Sequence, residues 1–335
     1  MLIPRYWSKG TAEATTPDGR PIAVTLWRGS RHSPDEAEQL AREAADRVAR
    51  RIRAGEGFPD RYTYDGGRAA REEVVQEISA GPGGEPDAAL TRNSYGAVVL
   101  NTSRACFIDV DLEPGREDAP HRAPAGGSGS GAEGLRPTVD RVLGMFGIRT
   151  EGVLGSILDA ALGAPGTAGA GTIPAPAPSA PTGDTGAALG RLRSWVASHP
   201  EWNVRVYRTS AGLRYLVTHA TFAAGDAESE AAMKALGSDP AYIKLCKVRQ
   251  SFRARLTPKP WRIGLPKPPH RFPYEGAGDE EEVRAWIRRY DAASQGHATC
   301  HFVEAVGSGA VHPEVEPLLR LHDEHTRATS GLPLA

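Results

Sequence analysis

The sequence predicts an α+β fold. Short apolar runs of alternating periodicity recur along the chain between turn residues, as strands require. Segments with apolar residues every three or four positions stand between them, as helices require. One long stretch, residues 114–185, has a composition that builds no core.

Residues 1–94 read as an N-terminal α+β extension. Ala14 to Trp27 predicts a hairpin turning at Asp18-Gly19, with Ile22, Val24 and Leu26 alternating on its second strand. Ser33 and Glu36 have capping-box spacing and Pro34 suits a first helical position, so a helix begins there. Leu40, Ala44, Val48 and Ile52 form its expected apolar stripe, and Gly55 ends it. Arg71 to Ile78 reads as a shorter helix. Ala88 to Asn93 and Ala97 to Leu100 read as strands leading to a third, Ala105 to Asp111.

Residues 114–185 hold Ala-Gly-Gly-Ser-Gly-Ser-Gly and Ile-Pro-Ala-Pro-Ala-Pro-Ser-Ala-Pro. This stretch reads as a flexible insertion, a linker or a cover over the acids before it. Two short helices are expected in it, near Thr138 to Phe146 and Val153 to Leu162. Regular pattern then returns. A helix spans Ala187 to Ser198. Strands at Asn203 to Arg208 and Leu213 to His219 flank a tight turn, Ser210-Ala211-Gly212. A helix over Glu228 to Leu236 and a helical turn after Asp239-Pro240 precede a strand at Ser251 to Leu256. From the Asp109 strand onward the order is β-α-β-β-α-β, the ferredoxin- or RRM-like split βαβ, over residues 95–113 and 186–265. Residues 266–335 read as a mostly helical extension, with helices at Glu280 to Tyr290 and Glu314 to Thr326 around a strand at His301 to Ala305.

Composition is that of an ordinary soluble protein, with 24% charged and 40% hydrophobic residues and a net charge of −1. No global basic field calls for nucleic acid. Three scattered cysteines make no disulfide framework and fit a reduced, intracellular setting. No apolar leader or membrane span stands out, so a cytoplasmic protein without membrane contact is expected.

Phe107-Ile108-Asp109-Val110-Asp111 carries the chemistry. Side chains alternate along a strand, so Asp109 and Asp111 share a face. Adjacent carboxylates repel unless a cation separates them, and a hard divalent ion such as magnesium or manganese suits them. The other reading is a strand running into an acidic turn. Farther on, Pro240 to Tyr274 contains no acid and nine cations: Lys244, Lys247, Arg249, Arg253, Arg255, Lys259, Arg262, Lys267 and Arg271. Phe252, Trp261, Phe272 and Tyr274 interleave with them. Such a stretch suits a polyanion with stacked bases, or is a solvated basic face. His297, Cys300 and His301 with His312, His322 or His325 offer zinc donors, at spacings that match no structural zinc pattern.

The acidic strand resembles the hydrophobic-Asp-hydrophobic-Asp motif of archaeo-eukaryotic-type primases and primase-polymerases. Ser210-Ala211-Gly212-Leu213-Arg214-Tyr215-Leu216-Val217 resembles their second motif, a small-residue turn entering an apolar strand. The family has a histidine where this chain has Arg214. That histidine contacts nucleotide phosphates, and an arginine can do so as a bidentate donor. Arg214 equally suits a salt bridge to Asp109, and His219 is its substitute only if the strand is offset. Asp239 is the candidate for the family's third acid, or else an ordinary N-cap before Pro240. Glu113 and Asp226 are the alternatives. Residues Arg255 to Arg262 resemble the basic strand and loop that follow. The resemblance implies a nucleotidyltransferase acting on nucleoside triphosphates and single-stranded or primed nucleic acid. Asp109, Asp111 and Asp239 would hold two magnesium or manganese ions. Arg214, Ser210 and Gly212 would meet the nucleotide, and Arg253, Arg255, Lys259, Trp261 and Arg262 the strand. Two other readings stay open: a non-catalytic nucleotide- or nucleic-acid-binding module on this fold, and a metal-dependent phosphoryl or nucleotidyl enzyme with a small substrate.

Overall fold

The computed structural model describes residues 1–56, 71–78, 86–112 and 185–335. The two helices expected near 138–146 and 153–162, and Glu113, lie outside the described residues. The chain is α+β, with helices and antiparallel sheets in two compact units.

One unit comprises described residues 4–56. Strands β1 (Tyr6–Thr15) and β2 (Pro21–Ser30) pair antiparallel, from Tyr6 opposite Ser30 to Thr15 opposite Pro21. Gly19 supplies the positive φ of 86° at the turn. Helix α1 (Pro34–Arg53) starts as expected, the Glu36 N–H donating to the Ser33 hydroxyl at 3.1 Å. Its buried face differs from the predicted stripe. Ala37, Ala41, Ala44, Ala45, Ala49 and Ile52 are buried, while Leu40 and Val48 are only half-buried. The cause is close approach. A Cβ on Gly10 of β1 would lie 2.2 Å from the Ala41 carbonyl carbon, so the facing surfaces must be small.

The other unit comprises described residues 1–3, 71–78, 86–112 and 185–335. It therefore includes strands that composition had placed with the N-terminal extension. One sheet joins β3 (Glu73–Ile78), β4 (Ala88–Arg92), β5 (Val98–Thr102) and β9 (Phe252–Arg255), in that order. The expected helix at 71–78 is thus the edge strand β3. Adjacent β-branched Val74 and Val75 favour extended backbone, and β4 offers a ladder, with a register shift between Val74 and Gln76.

A second sheet has the order β10-β7-β8-β6, formed by β6 (Phe107–Asp111), β7 (Asn203–Thr209), β8 (Gly212–Val217) and β10 (Cys300–Gly307). Helices α2 (Thr185–Ser198), α3 (Ala227–Ala235), α4 (Pro240–Arg249), α5 (Ala277–Ser294) and α6 (Glu316–Thr326) complete the described elements, with a 3-10 turn at Pro260–Ile263. The order from β6 to β9 is the one expected, and β8 lies between β6 and β7 as a split βαβ requires. The fourth strand departs from it. β9 pairs with β5 and not with β6, and β10 takes the edge beside β7. Side chains occupy the seam between β9 and β6. The Tyr242 hydroxyl donates to Arg253 O at 2.8 Å with Phe107 O at 3.1 Å, and Arg214 donates to Arg255 O at 2.9 Å. The β9 carbonyls that would have made a ladder are satisfied there instead.

Candidate functional site

Asp109 and Arg214 are direct cross-strand partners in β6 and β8. Arg214 Nε donates to Asp109 Oδ1 at 2.8 Å and Nη2 to Oδ2 at 3.3 Å. Arg214 is 3% exposed. Burial works against its charge, but the Asp109 carboxylate outweighs that and raises its pKa. The salt-bridge reading of Arg214 is therefore the arrangement found, and its forked donors point at a carboxylate and a carbonyl of the protein itself.

The other predicted ligands are also held in place by backbone. Ser238 donates its hydroxyl to the Asp109 carbonyl at 2.9 Å, which brings the start of α4 beside β6. Asp239 caps that helix, accepting the Ala241 N–H at 2.9 Å. Asp226 caps α3, accepting from Ser229 N at 2.7 Å. Asp111 is exposed at the end of β6. Among the described residues no group of three or more His, Cys, Asp or Glu side chains is placed to hold a metal ion. Among the described residues, Asp109, Asp111 and Asp239 thus form no such group for the two metal ions that the primase resemblance implies.

Gly212 has a packing reason for being glycine. A Cβ there would stand 2.1 Å from Val110 O, at the pairing of Gly212 with Asp111. Ser210 is half-buried at the preceding turn. His219 lies beyond β8, its Nδ1 accepting the Asn203 N–H at 3.3 Å. Among the described residues the candidate zinc donors form no group of three or more that could hold a metal ion. His301 Nε2 meets Leu332 O at 2.7 Å, His312 Nδ1 accepts from Glu314 N at 3.2 Å, and His297 Nδ1 meets Ala293 O at 3.3 Å.

The basic stretch divides in two. Arg253 is internal, with Nη2 at 2.7 and 2.9 Å from the Glu72 carboxylate oxygens and Nη1 at 2.7 Å from Asn101 Oδ1. Lys247 pairs with Glu230 at 2.7 Å, Phe252 is fully buried, and Arg255 is half-buried on β9. These do not form a strand-binding face. Farther on, the 3-10 turn presents Trp261, which is 39% exposed. The ammonium groups of Lys259 and Lys267 lie 5.5 and 5.6 Å from its ring centroid, and Tyr95 meets it edge-on at 5.4 Å. Arg262 is half-buried on the same turn.

A rigid frame holds this patch. Trp286 of α5 donates Nε1–H to Pro266 O at 3.0 Å and stacks on Tyr290 at 4.9 Å. Tyr290 Oη donates to Pro258 O at 2.6 Å, so one helix clamps both ends of the loop that carries Trp261. Tyr95 sits on the β4–β5 turn, where Asn93 Oδ1 accepts from Tyr95 N at 3.2 Å and Ala97 N at 3.1 Å. Tyr95 was not singled out from sequence, and Lys267 only as one of nine cations in the basic stretch. The signals present were a lysine in Pro-Lys-Pro-Pro and an aromatic residue in a tight turn, both weak by themselves.

Behind Arg214, Cys300 and His322, expected only as zinc donors, form a buried row with Asp323 that the sequence reading did not foresee. Cys300 Sγ lies 4.0 Å from His322 Nε2, and His322 Nδ1 lies 3.1 Å from Asp323 Oδ1. Asp323 also accepts from Tyr207 Oη at 2.6 Å and from Arg205 at 2.7 Å. Burial raises the Cys300 thiol to about 11 and lowers His322 to about 4, so both stay neutral and shielded.

No family model matches the chain, and no curated protein or solved structure matches it. No described helix is long and apolar enough to cross a membrane.

Proposed function

We propose that this chain is a binding module for single-stranded nucleic acid, using the surface around Trp261. The observation that carries this is the exposed indole flanked by Lys259 and Lys267 and braced by Tyr95. Indole and phenol rings stack on any base, and ammonium groups on either side meet the phosphates. An exposed cation–π contact is worth only about 0.5–1 kcal/mol, so each lysine leaves the ring for a phosphate at little cost. Nucleotide addition, as the primase resemblance implies, has support in the shared face of Asp109 and Asp111 and in the approach of Asp239 through Ser238. It has less support than binding, because Asp109 is engaged by Arg214 and Asp239 by its helix.

The test is to offer purified protein a primed template, nucleoside triphosphates and magnesium or manganese, and to titrate the same template for binding. The expected result is saturable binding of the single-stranded portion without extension. Extension that is lost in Asp109→Asn and Asp111→Asn overturns the binding-only reading in favour of the transferase.

A further inference from the structure

A shallow cleft adjoins the Trp261 patch. Its walls include Ser94 and Gly96 of the β4–β5 turn, Arg271, Phe272 and Tyr274 of the following loop, and Trp286 of α5. It is an open depression and not an enclosed cavity: its roughly 300 Å³ of empty space includes open solvent, so an occupant would lie against its walls. Tyr95, whose ring meets Trp261, lies between the two turn residues that line the cleft. Lys267 lies next to Pro268, another wall residue. The patch and the cleft are therefore continuous through the β4–β5 turn on one side and the 266–268 loop on the other.

The chemistry of the walls is aromatic and cationic. Phe272 and Tyr274 meet edge to face at 5.6 Å, leaving an aromatic wall in the cleft. Arg271 is exposed at its rim. Burial, and next the Arg271 charge, lower the Arg71 pKa, with Glu275 opposing them. The wall carboxylate Glu73 is already engaged, by Arg284 and by the Tyr274 hydroxyl at 3.3 Å. His270 stands between Glu282 at 3.0 Å and Asp279 at 3.7 Å. Arg92, the other arginine of the wall, donates to Gly96 O at 2.7 Å, which leaves Arg271 as the side chain facing an incoming anion at the rim.

We infer that this cleft takes a further nucleotide of the bound strand, its base against Phe272 and Tyr274 and its phosphate against Arg271. The inference rests on the nucleic-acid reading of the Trp261 patch and adds to it a second subsite and a direction for the strand. A lone anion is the poorer occupant, since the aromatic wall gives it nothing to bind.

Fluorescence anisotropy with labelled oligothymidylates of about 4, 8 and 12 residues tests it. Arg271→Glu and Ser94→Trp, both at exposed wall positions, reverse the rim charge and fill the cleft; thermal melts confirm that each variant is folded. The expected result is that wild-type affinity rises with length, that both variants bind the shortest probe normally, and that both lose about tenfold on the longer ones. Trp261→Ala weakens binding at every length. Variants that match wild type at all lengths while Trp261→Ala binds weakly overturn the cleft subsite and leave the Trp261 patch standing. No binding of any probe by the wild type overturns both.

Discussion

The Arg214 guanidinium lies between the two sheets of its unit and gives three donors to Asp109 and to the Arg255 carbonyl. Removing one side of a buried, hydrogen-bonded pair leaves the other uncompensated, at a cost of about 3–5 kcal/mol. Arg214→Ala is therefore expected to lower stability by that amount in urea unfolding, with oligonucleotide affinity unchanged where the variant is folded. The paired change Asp109→Leu with Arg214→Met is expected to lose less than the sum of the single changes. His322, fully buried, makes a separate prediction. Its pKa in the folded protein is about 4, below an unfolded value near 6.5, because burial disfavours the charged ring. Its contribution is complete above pH 6.5 or so. It is lost as pH falls from there toward about 4, because only the unfolded chain takes up the proton. The loss is on the order of 3 kcal/mol and then levels off for this group. Unfolding midpoints measured against pH are expected to show that slope in wild type and to lose it in His322→Gln.

At the scale of elements, close approaches decide which sequence signals come true. Gly96 has φ of 90°, and a Cβ on it would stand 2.3 Å from the Trp286 ring. Gly96→Ala combines left-handed strain with overpacking, so a loss of about 2–4 kcal/mol is expected in thermal or urea unfolding. It should also weaken oligonucleotide binding, because the turn that it distorts carries Tyr95. The caps of α1 and α4 were legible because each is a local matter of one side chain and a backbone N–H two or three residues on. The β6-β8-β7 order was legible because a split βαβ follows from element order. The position of β9 was not. Its partner β5 is 150 or more residues away in sequence, as in the Thr102–Phe252 pairing, and the seam depends on Tyr242 and Arg214, whose reach no periodicity encodes. The Arg71–Ile78 segment misread for a related reason, since a six-residue strand with Val75, Gln76 and Glu77 exposed needs the neighbouring β4 to declare it. Asp109 and Arg214 were each legible as functional types. Only the register that sets them opposite each other showed that they neutralise one another.

Over the whole molecule, the net charge of −1 means that long-range attraction for a polyanion is weak and that contacts must be local. Several of the nine cations between Pro240 and Tyr274 serve structure: Arg253 is internal and Lys247 is paired at the surface. Those around Trp261 are the proposed strand-binding set. The most direct measurement is the salt dependence of oligothymidylate binding in wild type and in Lys259→Ala, Lys267→Ala and Trp261→Ala. Each phosphate neutralised on a single strand contributes about −0.7 to the slope of log affinity against log salt. Engagement of Lys259, Arg262 and Lys267 predicts a slope of about −2. Each lysine variant should flatten it by roughly 0.7, while Trp261→Ala weakens binding by about 1–3 kcal/mol at unchanged slope. A slope near zero, or affinity indifferent to all three substitutions, contradicts the assignment of this surface to nucleic acid.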